Sequence, residues 1–128
     1  APPRLALLFG GDEPRITILA AKGEGLEVVA SPKLELGPCP LGMAVGDLTG
    51  DGSDDIVIVS PEEVRVFLNG GGSGELWRLS AVARVPGGVG PAAVGDFTGD
   101  GRADVAVVLD DGKVQILRST TAEEGPSP

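Results

Sequence analysis

Histidine and tyrosine are absent from this chain, and cysteine and tryptophan occur once each. Without imidazole, the side chain that most often moves protons near neutral pH is missing. No nucleophile stands beside a base, so nothing reads as a catalytic pair. The lone Cys39 excludes an intrachain disulfide and reads as a small, inert hydrophobe. Positive charge is scarce: 10 Lys and Arg against 19 Asp and Glu leave a net charge of −9. Such a chain is a poor partner for nucleic acid. No apolar run reaches the length of a membrane-spanning helix. With three Phe and one Trp as the only aromatics, any core must be built from Val, Leu, Ile and Ala.

Glycine and proline, by contrast, are plentiful. Twenty-one Gly and eleven Pro imply many turns, too many for a helical protein. The length of 128 residues suits one ordinary domain.

One ten-residue stretch occurs twice. Gly46-Asp47-Leu48-Thr49-Gly50-Asp51-Gly52-Ser53-Asp54-Asp55 leads into Ile56-Val57-Ile58-Val59, and 49 residues later Gly95-Asp96-Phe97-Thr98-Gly99-Asp100-Gly101-Arg102-Ala103-Asp104 leads into Val105-Ala106-Val107-Val108. Hard cations take several oxygen ligands, and a tight loop supplies them from alternate residues. Asp47, Asp51 and Asp55 would provide carboxylates in one loop, and Asp96, Asp100 and Asp104 in the other. Thr49 and Thr98 can add hydroxyls, and Ser53 and Arg102 backbone carbonyls. Gly52 and Gly101 permit the sharp turn that a side chain would obstruct. Three carboxylates in nine residues repel one another unless a cation sits between them. An Asp/Gly-rich hairpin turn is the plainer explanation of one copy. Two copies with every Asp and Gly in place favour a metal site. Six of the nineteen acidic residues hold these positions, so two bound Ca²⁺ would bring the charge to about −5.

An EF-hand loop carries an acidic ligand at its twelfth position and a helix after it. Here that position is Ile58 or Val107, and the following residues are β-branched. The EF-hand is excluded. GDLTGDGSDDIVIV and GDFTGDGRADVAVV instead resemble the calcium loops of FG-GAP/VCBS repeats, found in integrin α-subunit propellers and many secreted bacterial proteins. Their pattern is D-x-[DNT]-x-D-G-x-x-D leading into a strand. Thr49 and Thr98 stand where that family more often has Asp or Asn.

The rest of the chain fits repeats of this period. Leu5–Phe9, Ile56–Val59 and Val105–Leu109 are apolar runs expected of strands buried on both faces. Each precedes an alternating strand: Arg15–Leu19, Val64–Leu68 and Val114–Leu117. Arg65 falls on the polar side of its strand, where a change to Glu is expected to be mild. Leu26–Val29 and Leu76–Leu79 are expected outer strands, and Met43–Val45 and Ala92–Val94 short strands feeding the loops. Arg4 stands where the ninth loop residue would be, so no metal site is expected in the first repeat. Asn69–Gly74 lacks the Lys-Ser/Thr ending of a phosphate-binding loop and reads as a hairpin connection. Trp77 is assigned a packing role ahead of a binding one.

These divisions predict a partial first repeat over 1–40, a complete second over 41–88, a third without its outer strand over 89–118, and a polar tail over 119–128. The expected fold is all-β, with four-stranded propeller-type blades in about two and a half repeats. Closed propellers hold four to eight blades, so the remaining faces would be completed by copies of the chain or by further blades of a longer protein.

The resemblance and the missing catalytic groups imply a secreted, calcium-stabilised structural or binding module with two Ca²⁺ per chain and no enzymatic activity. Two alternatives accompany it: a self-assembling extracellular fibre or matrix subunit, and an adhesion module for carbohydrate or protein. All three place the chain outside the cell or on its surface. Ala1-Pro2-Pro3 would suit the start of a mature chain after cleavage.

Overall fold

Short β-branched runs separated by Gly- and Asp-containing turns favour antiparallel pairing of sequence neighbours. The computed structural model describes residues 4–9, 13–50, 52–70 and 77–118, and every strand in it pairs in that way. The first sheet holds β1 (Arg4–Phe9), β2 (Arg15–Lys22) and β3 (Gly25–Ala30). The second holds β4 (Gly42–Gly46), β5 (Asp55–Val59), β6 (Glu63–Asn69) and β7 (Trp77–Arg84). The third holds β8 (Gly88–Gly95), β9 (Asp104–Leu109) and β10 (Val114–Leu117). The fold is all-β, and no helix occurs among the described residues.

The three sheets are variants of one unit. Gly46 pairs with Asp55 and Gly95 with Asp104, so each acidic loop joins the first two strands of its sheet. Among the described residues, the first sheet lacks a counterpart of β4 and the third a counterpart of β7. The expected segments 1–3, 10–12, 71–76 and 119–128, with Asp51, lie outside the described residues.

The sheets stack face to face, with the second in the middle. Period-two alternation sends Val57 and Val59 towards the third sheet, where they cluster with Val105 and Val107. Ile56 and Ile58 point the other way and cluster with Ile16, Ile18 and Leu36. All five residues of β5 are buried, as a continuous apolar run requires. Each such aliphatic side chain contributes roughly 1.5–3 kcal/mol by leaving water.

Close approach of β4 and β8 depends on glycine. A Cβ on Gly42 would fall on the Gly90 carbonyl, and one on Gly46 would lie 2.7 Å from Val94. Only a residue without a side chain lets two backbones meet this way.

Several expectations change. β1 is not buried on both faces: Leu5 is 48 % exposed and Phe9 39 %, because no described residue lies beyond the first sheet. The outer strand of the second sheet extends to Arg84, and β8 begins at Gly88 and runs through Pro91. Proline is accommodated there by a register shift between Gly88 and Ala92. Cys39 is exposed, at a positive φ of 52°, and is therefore no core residue. Arg65 is engaged on its polar face: it donates to the Glu35 carbonyl at 2.9 Å and pairs with Glu63.

Candidate metal centre

In the second loop the residues at positions one, five and nine converge. Asp96, Asp100 and Asp104 each place a carboxylate oxygen within 4.8 Å of the others. The backbone arranges this. Gly99 and Gly101 take φ of 78° and 84°, left-handed values that glycine adopts without a steric penalty. The chain then curls round Asp96, whose Oδ1 accepts from the N–H groups of Gly99 (2.8 Å) and Asp100 (3.2 Å). Its Oδ2 accepts from the N–H of Gly101 at 2.8 Å.

Asp104, at the head of β9, is buried. Its Oδ2 accepts from the N–H groups of Phe97 (3.2 Å) and Thr98 (3.3 Å) and from the Thr98 hydroxyl (3.0 Å). Asp100 Oδ1 accepts from the Arg102 N–H at 2.9 Å. That bond, helped by the Thr98 hydroxyl and the charges of Arg118 and Arg102, holds the Asp100 carboxyl below the usual aspartate value against some desolvation. The guanidinium of Arg118 lies 3.7 Å from Asp100 Oδ2. The loop pattern alone does not show this counter-charge, because Arg118 follows the end of β10, outside the loop.

The first loop repeats the scaffold. Asp47 Oδ1 accepts from the N–H groups of Thr49 (3.2 Å) and Gly50 (2.8 Å), and Oδ2 from that of Gly52 (2.7 Å). The Thr49 hydroxyl lies 3.5 Å from Asp47 Oδ1. Asp55 is 0 % exposed, and it accepts from the N–H of Leu48 and that of Asn69, both at 2.8 Å. Ser53 is half-buried and Arg102 exposed, at equivalent positions. The cluster of the first loop is not described as a whole, since Asp51 lies outside the described residues.

These residues suit a hard cation. The donors are oxygen atoms, the carboxylates repel one another, and N–H donors already fix their orientation. The Asp cluster can therefore hold a metal ion.

The same geometry recurs at a fixed interval and opens a strand each time, which is what a blade repeat with a loop between its first two strands requires. Residues 47–107 match the FG-GAP-like repeat. The matched span takes in both acidic loops, and the all-β stack of sheets is consistent with FG-GAP blades. No curated protein matches the chain. No helix among the described residues is long and apolar enough to cross a membrane.

Proposed function

We propose that this chain is a non-catalytic, calcium-stabilised module of β-propeller type that acts outside the cell. The convergence of Asp96, Asp100 and Asp104 within a segment similar to the FG-GAP-like repeat carries the reading. Asp47, Asp51 and Asp55 form the second site by analogy of scaffold. Thr49 and Thr98 add hydroxyls, and Ser53 and Arg102 backbone carbonyls, completing two Ca²⁺ per chain. Calcium is favoured over Mg²⁺, which demands a small octahedral shell and gives up water reluctantly. Extracellular modules typically bind Ca²⁺ at about 10⁻⁴–10⁻³ M, a range suited to exposed loops of this kind.

Isothermal titration calorimetry tests the proposal. Two sites per chain are expected, falling to one in Asp96→Ala or Asp47→Ala. A chain that takes up no Ca²⁺ at millimolar concentration contradicts it.

A second reading, self-assembly, is favoured by the apolar faces that the first and third sheets turn outward, with Val28 61 % and Val114 57 % exposed. Patches of this kind normally mark an interface. The adhesion reading loses its main residue: Trp77 is half-buried and hydrogen-bonded to the first loop rather than presented to a ligand.

A further inference from the structure

Arg118 reaches the second loop from outside it. Leu117 of β10 pairs with Val105 of β9, so the residue after Leu117 lies level with Asp104, the last carboxylate of the loop. There the guanidinium of Arg118 stands 3.7 Å from Asp100 Oδ2. In the second sheet Phe67 pairs with Ile56 in the same way, and the residue after it is Leu68. The two loops share a ligand pattern but differ in this neighbour.

Asp96, Asp100 and Asp104 bring carboxylate oxygens within 4.8 Å of one another. Like charges this close repel, and a cation beside them is drawn in. Asp96 is oriented by N–H groups of the loop itself. Asp100 turns Oδ1 to the Arg102 N–H, and its Oδ2 faces Arg118. The Arg118 side chain is 58 % exposed and that of Asp100 32 %, so the ion pair alone adds little to the fold. Its weight lies in what else can occupy the site. A divalent cation that draws on Asp100 must either share it with a guanidinium or displace that group.

We propose that Arg118 is a built-in competitor for the cation of the second loop: it offsets the carboxylates when calcium is scarce and holds the affinity of that site down. The inference deepens the calcium reading and rests on it. A unit charge about 6 Å from a divalent ion in water, screened at physiological salt, weakens binding roughly three- to tenfold. Leu68, the counterpart of Arg118 beside the first loop, carries no charge with which to compete.

Isothermal titration of Ca²⁺ into the full chain carrying Asp47→Ala, which leaves the second site alone, tests this beside the wild type. Arg118→Leu and Arg118→Lys are then added to that background. Arg118 is exposed, so folding tolerates either change, and circular dichroism verifies it. Should Arg118→Leu fail to fold, Arg118→Gln replaces it. Arg118→Leu is expected to tighten the second site roughly three- to tenfold. Arg118→Lys, which keeps the charge, should stay near the value of its background. Melting in EDTA supplies a second readout: Arg118→Leu should melt at or slightly below its background, because the carboxylates have lost their offset. Stability and affinity thus move in opposite directions, whereas an arginine with a merely structural role would lower both. A wild type that takes up no Ca²⁺ overturns the calcium reading and this inference together. Uptake by both loops with an unchanged or weaker second site in Arg118→Leu overturns this inference alone. An equal gain in Arg118→Lys would trace the effect to shape rather than charge, and overturns it as well.

Discussion

The indole nitrogen of Trp77, at the head of β7, donates a 3.0 Å hydrogen bond to the backbone carbonyl of Asp54 in the first loop. Its ring packs on the cluster around Ile56, Ile58 and Phe67. The edge strand β7 is thereby fastened to the loop between the first two strands of its sheet, β4 and β5. Trp77 is also the only tryptophan, so its fluorescence reports on that loop alone. Titrating Ca²⁺ is expected to shift the emission. Asp47→Ala should abolish the shift, and Asp96→Ala should leave it. An emission that follows the second loop instead would contradict the assignment.

Backbone contact between β4 and β8 makes a second prediction. Gly42→Ala would drive a methyl group into the Gly90 carbonyl, a backbone atom that cannot rotate aside. Overpacking of this kind costs about 1–3 kcal/mol, which urea unfolding would measure. Gly25→Ala is the control: a Cβ there meets nothing within 4 Å, and its φ is not positive. Equal stability of the two variants would show that the strands can part without loss.

Much of this was legible in the residues. The apolar runs and loop spacing locate the strands, since period-two alternation and Asp/Gly turns are local signals. What could not be read is non-local. The sequence does not show that, among the described residues, no sheet covers Leu5 and Phe9, because coverage depends on what packs beyond β1. The strand expected over Ala92–Val94 starts earlier, at Gly88, because a register shift lets it run through Pro91. Arg65 looks idle on its strand, yet its guanidinium reaches back thirty residues to Glu35. The carboxylate cluster was legible as a pattern, but the N–H bonds that orient Asp96 and Asp47 follow from loop curvature.

Acid should weaken the second loop late. A folded-state pKa below the unfolded one means that the stabilising contacts of Asp100 are complete above the unfolded value and are lost as pH falls through the folded one. With Asp100 held low, first by the Arg102 N–H, that loss begins below the ordinary aspartate range. Carboxyl NMR of the calcium-free chain should place its midpoint there, and Arg118→Ala should move it up by removing a nearby cation. A midpoint at or above the ordinary value would contradict the cause given.

The two kinds of loop aspartate should separate cleanly when calcium is removed. Asp55 is fully buried, and its carboxylate satisfies the N–H groups of Leu48 and Asn69. Asp55→Ala strands donors at the edge of the core, and an unsatisfied buried donor costs about 1–3 kcal/mol. Asp47 accepts instead from the exposed turn around Gly50 and Gly52, where water replaces a lost acceptor. In EDTA, therefore, urea unfolding should show Asp55→Ala clearly destabilised and Asp47→Ala nearly unchanged. In calcium both variants should lose the added stability of the first site. That gain is about 2.7 kcal/mol for a ligand at a hundred times its dissociation constant. If Asp55→Ala matched the wild type in EDTA, the buried carboxylate would be a ligand only, and its bonds to the backbone would contribute nothing to the fold.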